Sequence, residues 1–160
     1  MAMPTSIPME TDGGTTYTGT ISTQIYELTP PGEEKVTNLI RIDQKWGVQL
    51  DWTFDGSISS WLNYHWHLSL YFESIGKGPE YGLPVSGPVI VATQDGQSTG
   101  TGLSYTRKIE FDPVNIPADR IEPGIYKPAA LIQLYDVSDT LPAALCGTFE
   151  MPLVTFYKPK

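Results

Sequence analysis

Two histidines stand two residues apart in this chain, His65 and His67, and it has no others. In an extended strand, residues at i and i+2 project from one face. Their imidazoles would then lie close enough to share a metal ion, with Asp51 from the preceding strand as a third ligand if the pairing sets it opposite. That set would suit a metal-dependent enzyme built on a His-x-His strand. The simpler reading is two solvent-facing histidines on a polar strand face. A metal site ordinarily wants three or more protein ligands, and two histidines supply only part of that.

The same face offers a second chemistry. Trp61, Asn63, His65, His67, Tyr71 and Glu73 share one parity, and Tyr81 stands in the loop that follows. Aromatics among amides and carboxylates can anchor a protein partner or stack on sugar rings. A protein partner or a second copy of the chain is preferred here, because nothing else marks a sugar cleft. A loop or the N-terminal segment lying over Trp61 is the plainer explanation.

Other reactive groups are weaker candidates. Cys146 follows Ala143, Ala144 and Leu145 and reads as a small buried filler, since a nucleophile needs a base beside it. Asp51, Asp55, Glu73 and Glu80 could supply a carboxylate pair for glycoside hydrolysis, but any acidic domain offers such pairs. Gly76-Lys77-Gly78 lacks the Gly-Lys-Ser/Thr ending and the following helix of a phosphate loop. No cofactor is expected.

The element that must position the histidines runs from Trp61 to Glu73. At period two its other face is Leu62, Tyr64, Trp66, Leu68, Leu70 and Phe72, apolar from end to end. A half-buried strand explains this and no helical face does. Trp46, Val48, Leu50, Trp52 and Phe54 alternate in the same way before Asp55-Gly56, a strong turn signal. These two strands are expected to pair as an antiparallel hairpin.

Further strands are expected over Thr15–Leu28, with a possible kink at Ile25 and Tyr26, and over Leu39–Gln44, Pro88–Thr93 and Leu103–Phe111. The last two are Ile125–Val137, apolar on both faces as a central strand would be, and Gly147–Tyr157, where Pro152 marks an edge or a bulge. Arg107 falls in an inward phase and needs a partner or an exit. Ser74–Gly87 reads as a long loop, and residues 1–14 as a flexible tail before one domain over 15–160.

Composition agrees. The chain of 160 residues has 14 prolines, 15 glycines and few strong helix formers, which favours short strands and turns. Its single cysteine excludes an internal disulfide. A net charge of −8 with scattered Lys and Arg argues against nucleic acid and anionic membranes as partners. No secretory signal or membrane-length apolar run is visible; the compartment stays open, with the cytoplasm favoured.

Asp119-Arg-Ile-Glu-Pro-Gly-Ile-Tyr126, a turn ending in Pro-Gly-x-Tyr before a strand, resembles the tyrosine corner of immunoglobulin-like and fibronectin type III-like sandwiches. The resemblance covers the last third of the chain and implies that Tyr126 returns its hydroxyl to upstream backbone. No cysteine follows two residues later and no paired cysteine exists; Ala130 sits where apolar packing would continue instead. The expectation is therefore an all-β antiparallel sandwich of about seven to nine strands, immunoglobulin-like in topology, with a jelly roll as the alternative. Its expected role is a non-catalytic module that binds a protein or itself, ahead of a carbohydrate-binding module or a metal-dependent enzyme.

Overall fold

A computed structural model describes residues 5–9, 17–30, 32–55 and 63–160. They include thirteen strands and two 3-10 turns. In chain order the strands are β1 Thr5–Met9, β2 Tyr17–Thr29, β3 Glu33–Val36, β4 Leu39–Arg41, β5 Lys45–Asp55, β6 His65–Ser74 and β7 Tyr81–Leu83. Then come β8 Val89–Ala92, β9 Gln97–Ser98, β10 Gly102–Phe111, β11 Gly124–Tyr135, β12 Pro142–Glu150 and β13 Val154–Tyr157. The count exceeds seven to nine because short edge pieces, such as β7 and β9, interrupt what the sequence presents as loop.

The strands form two sheets. The first has the order β1-β2-β5-β10-β9, with β3 also on β2. The second has the order β4-β13-β11-β6-β7, with β12 on β11 and β8 on β6. Every pairing is antiparallel except that of β13 with β4. The architecture is an all-β sandwich.

Parity sets what is buried. In β6, Trp66, Leu68, Leu70 and Phe72 face inward, and in β5 so do Trp46, Val48, Leu50, Trp52 and Phe54. The two strands do not form the expected hairpin. The chain crosses from the first sheet at β5 to the second at β6, so both apolar faces meet across the core. Trp66 packs edge-on to Trp52 at 6.4 Å and to Phe54 at 6.1 Å. Alternation fixes which face is apolar, and it is silent on whether that face meets a neighbour beside it or opposite it.

Two further expectations change. Residues 5–9, read as tail, pair with β2 from Thr5↔Ile21 to Met9↔Tyr17. Pro8 tolerates this because β1 lies at the end of its sheet, where a missing donor costs least. The expected kink in β2 is also absent: pairing with β5 runs unbroken from Thr18 to Leu28. Tyr26 is buried because its ring lies over Gly47, its cross-strand partner. Burial, reinforced by the Glu110 charge, holds the Tyr26 hydroxyl pKa well above the ordinary phenol value.

Other features follow the sequence. Tyr126 donates its hydroxyl to the Glu122 carbonyl at 2.7 Å, the upstream return expected of it. Burial and the neighbouring Tyr81 push its pKa up to about 12. Met151-Pro152-Leu153 separates β12 from β13, so proline sits at a break in the last strand. Arg107 escapes to solvent because β10 runs at the side of the first sheet.

Candidate functional site

β6 lies between β11 and β8, and this fixes the surroundings of the histidines. His65 stands opposite Tyr135 and Ala92, and His67 opposite Gln133 and Ile90. The turn after β11 completes the site. Asp136 builds that turn: its carboxylate accepts from Ser138 Oγ at 2.8 Å and from the Thr140 and Leu141 amides at 3.2 Å. These bonds, Ser138 foremost, hold the Asp136 carboxyl below the usual carboxylate range. Asp139 then adopts φ +56°, a left-handed conformation that aspartate tolerates better than most residues.

That conformation delivers the Asp139 carboxylate to both histidines. Its Oδ1 accepts from His65 Nδ1 at 2.7 Å and from His67 Nε2 at 2.9 Å. An ionised carboxylate can only accept, so each of these ring nitrogens carries the proton it donates. The two bonds, His67 first and His65 second, depress the Asp139 pKa. His67 is further covered by Tyr135, whose ring stacks on it at 3.9 Å and 13°. At 8% exposure His67 is buried, which corrects the picture of two solvent-facing imidazoles.

The pairing has a pH consequence. A carboxyl whose folded pKa lies below its unfolded value of about 3.9 stabilises the fold above that pH, and the contribution disappears as pH falls through the folded pKa. Asp139→Ala is therefore expected to lower Tm at pH 7 and to lose most of that penalty at pH values below the carboxylate range. Asp139→Asn keeps an acceptor oxygen and suits the left-handed backbone, so it should lower Tm less. Equal Tm deficits for Asp139→Ala at neutral and strongly acidic pH would refute the assignment.

The metal set does not assemble around Asp51. That residue is on β5, in the opposite sheet, where its Oδ1 accepts from Thr106 Oγ1 at 2.7 Å. Asp139 takes the place facing the histidines, with one oxygen already bonded to both rings. Among the described residues no group of three His, Cys, Asp or Glu is placed to hold a metal ion. Cys146 lies on β12 opposite Gln133 and is half-buried, more open than a core filler.

The recognition residues are likewise dispersed. Trp61 lies outside the described residues. Asn63 is exposed and joins Tyr64, His65, Ala92, Gln94 and Val137 around a depression of about 310 Å³. Tyr71 is 51% exposed, and its ring edge runs beside Gly82, its cross-strand partner. Glu73 is exposed opposite Lys127, which pairs with Glu150 at 3.2 Å. Tyr81 is tied into the fold: its hydroxyl accepts from the Glu122 amide at 2.9 Å and its ring packs near Tyr126. Between the histidines and Glu73 the outer face also carries Ser69, Ala129 and Leu131, all half-buried.

Asp139 lies 72 residues from His67 in the chain. The available signal was local: Asp136, Ser138, Asp139 and Thr140 crowd together just past an apolar strand, as turn-forming residues do.

No protein-family model matches the chain, and neither does any curated protein. Among solved structures, a β-glucosidase from Listeria innocua in complex with gluconolactone is similar with a TM-score of 0.40 and 12% identity. The match covers 91% of this chain and 17% of the glucosidase. A likeness this slight supports no argument about activity. Among the described residues, no helix is long and apolar enough to cross a membrane.

Proposed function

We propose that this domain is a non-catalytic interaction module, an immunoglobulin-like sandwich that binds protein through the outer face of β6 and β11. The topological reading draws on the strand order, with β2, β5 and β10 in one sheet and β6, β11 and β12 in the other. It draws equally on the Tyr126 hydroxyl bonded four residues upstream.

The single observation behind the binding role is an uncharged strip across the second sheet. Tyr71 and Ile90 are exposed there at 51% and 47%, with Ala129, Leu131 and Ser69 half-buried between and beside them. Charges gather at the ends of the strip, at Asp139 on one side and Glu73, Lys127 and Glu150 on the other. A neutral, partly aromatic centre with a charged rim is the composition of a protein contact surface. A sugar platform would want several coplanar aromatics. The exposed ones among the described residues are Tyr71 and Tyr157, on strands that β11 separates.

Self-association is the directly testable form. Light scattering on the 17.7 kDa chain should give a mass that rises above the monomer with concentration. Leu131→Glu should return it to the monomer while leaving Tm nearly unchanged. A monomer at every concentration, or a Leu131→Glu protein that still associates, would sink this form.

A further inference from the structure

We propose that β8 is a docking edge, to which an extended peptide segment of neutral or basic charge adds as a further antiparallel strand of the second sheet. Among the described residues β8 pairs with β6 alone. The phase of that pairing is fixed by the Thr93 amide, which donates to the Tyr64 carbonyl at 3.0 Å. Main-chain groups alternate along a strand, so Val89 and Val91 turn theirs to β6 while Ile90 and Ala92 turn theirs outward. An added strand can make up to four hydrogen bonds to those two residues.

Several other edges are guarded. β10 bears Thr106, Arg107, Lys108 and Glu110 along its exposed length, and β3 bears Glu33, Glu34 and Lys35. β12 has β1 alongside it. Charged side chains on an edge oppose strand addition, and β8 has none.

The surroundings define the ligand. A residue of the added strand opposite Val91 would point between the sheets, into a hollow of about 250 Å³ lined by Val91, Asp95, Gln97, Tyr105, Thr106 and Arg107. Its walls are mostly polar, which suits a short hydroxyl side chain. The residues on either side would lie on the outer face beside Ile90 and favour apolar groups. Asp95 and Arg107 both border the hollow and offset each other there, and the net charge of −8 of the whole chain repels an acidic segment.

The test uses the intact domain and a blocked synthetic peptide, Lys-Thr-Val-Thr-Val-Thr-Val-Thr-Lys, with a twin that has glutamate at both ends. The basic peptide at millimolar concentration should shift the Ile90 and Ala92 amide resonances and slow their hydrogen exchange. The acidic twin should bind at least about fivefold more weakly at low salt. Ile90→Pro removes an outward N–H that β6 does not use, and should weaken binding about tenfold or more. Ile90→Lys keeps the N–H but adds a guarding charge, and should also weaken the basic peptide should the proline variant fail to fold. Leu131→Glu should leave binding intact, which separates this edge from the outer-face contact. Unchanged Ile90 and Ala92 resonances, shifts confined to another surface, or undiminished binding by a folded Ile90 variant would overturn the proposal.

Discussion

Trp46→Ala is expected to remove about 3–5 kcal/mol of unfolding free energy, the usual cost of emptying a buried tryptophan site. Trp46 is 1% exposed and joins the two sheets. It stacks on Phe111 of its own sheet at 4.4 Å and meets Phe72 and Phe156 of the other at 5.7 and 5.0 Å. Because three rings converge on it, no single neighbour can swing in to fill the gap. A domain has about 5–15 kcal/mol in total, so the loss is a large fraction. Denaturant unfolding should show a lower midpoint at unchanged slope, with Tm down on the order of 10 °C. Trp46→Phe should lose less than half as much, and Tyr71→Ser on the exposed face should stay within about 0.5 kcal/mol of the parent. A Trp46→Ala deficit below about 1 kcal/mol would contradict this account of the core.

Gly47→Ala should cost about 3 kcal/mol although it adds one methyl group. A Cβ at residue 47 would stand 2.5 Å from the Tyr26 hydroxyl oxygen, 2.7 Å from the ring carbon bearing it and 2.9 Å from the Ile109 carbonyl oxygen. The ring is buried and the carbonyl belongs to the adjacent strand, so neither can retreat freely. Gly47 lies in the middle of the first sheet, between Tyr26 on β2 and Glu110 on β10. If the Tyr26 ring is the principal obstacle, Gly47→Ala combined with Tyr26→Val should be less destabilised than the sum of the two single changes, by about 1 kcal/mol or more. Strict additivity would move the obstacle to the backbone of β10. The pairing of Tyr71 with Gly82 repeats the device on the other sheet, at an exposed position where less depends on it.

What the sequence made legible follows from the range over which each property is set. Inward and outward parity is local, so Trp46 to Phe54 and Trp66 to Phe72 could be assigned to the core from alternation alone. Pairing is a property of distant segments, and the same alternation suggested a β5–β6 hairpin where the chain instead crosses between sheets. The His-x-His pair was visible because two residues on one strand share a face by geometry. Its acidic partner was not, since no period connects a turn carboxylate to a strand so far back in the chain. His67 sits on the polar phase yet is buried, because Tyr135 of the neighbouring strand covers it. Thr5–Met9 carries too short a pattern, broken by Pro8, to read as an edge strand.

The crossing from β5 to β6 also bears on time. Two of the central pairings join strands that are far apart along the chain: Asp51 pairs with Thr106, and His67 with Gln133. The β2–β5 and β11–β12 pairings close shorter loops, but joining β10 to β5 and β11 to β6 closes loops of roughly fifty residues or more. Topologies of this non-local kind refold in milliseconds to seconds, not microseconds. The newly made chain spends that interval with its apolar strands unsheltered, and the pace of assembly is set by the route of the backbone more than by the strength of any one contact.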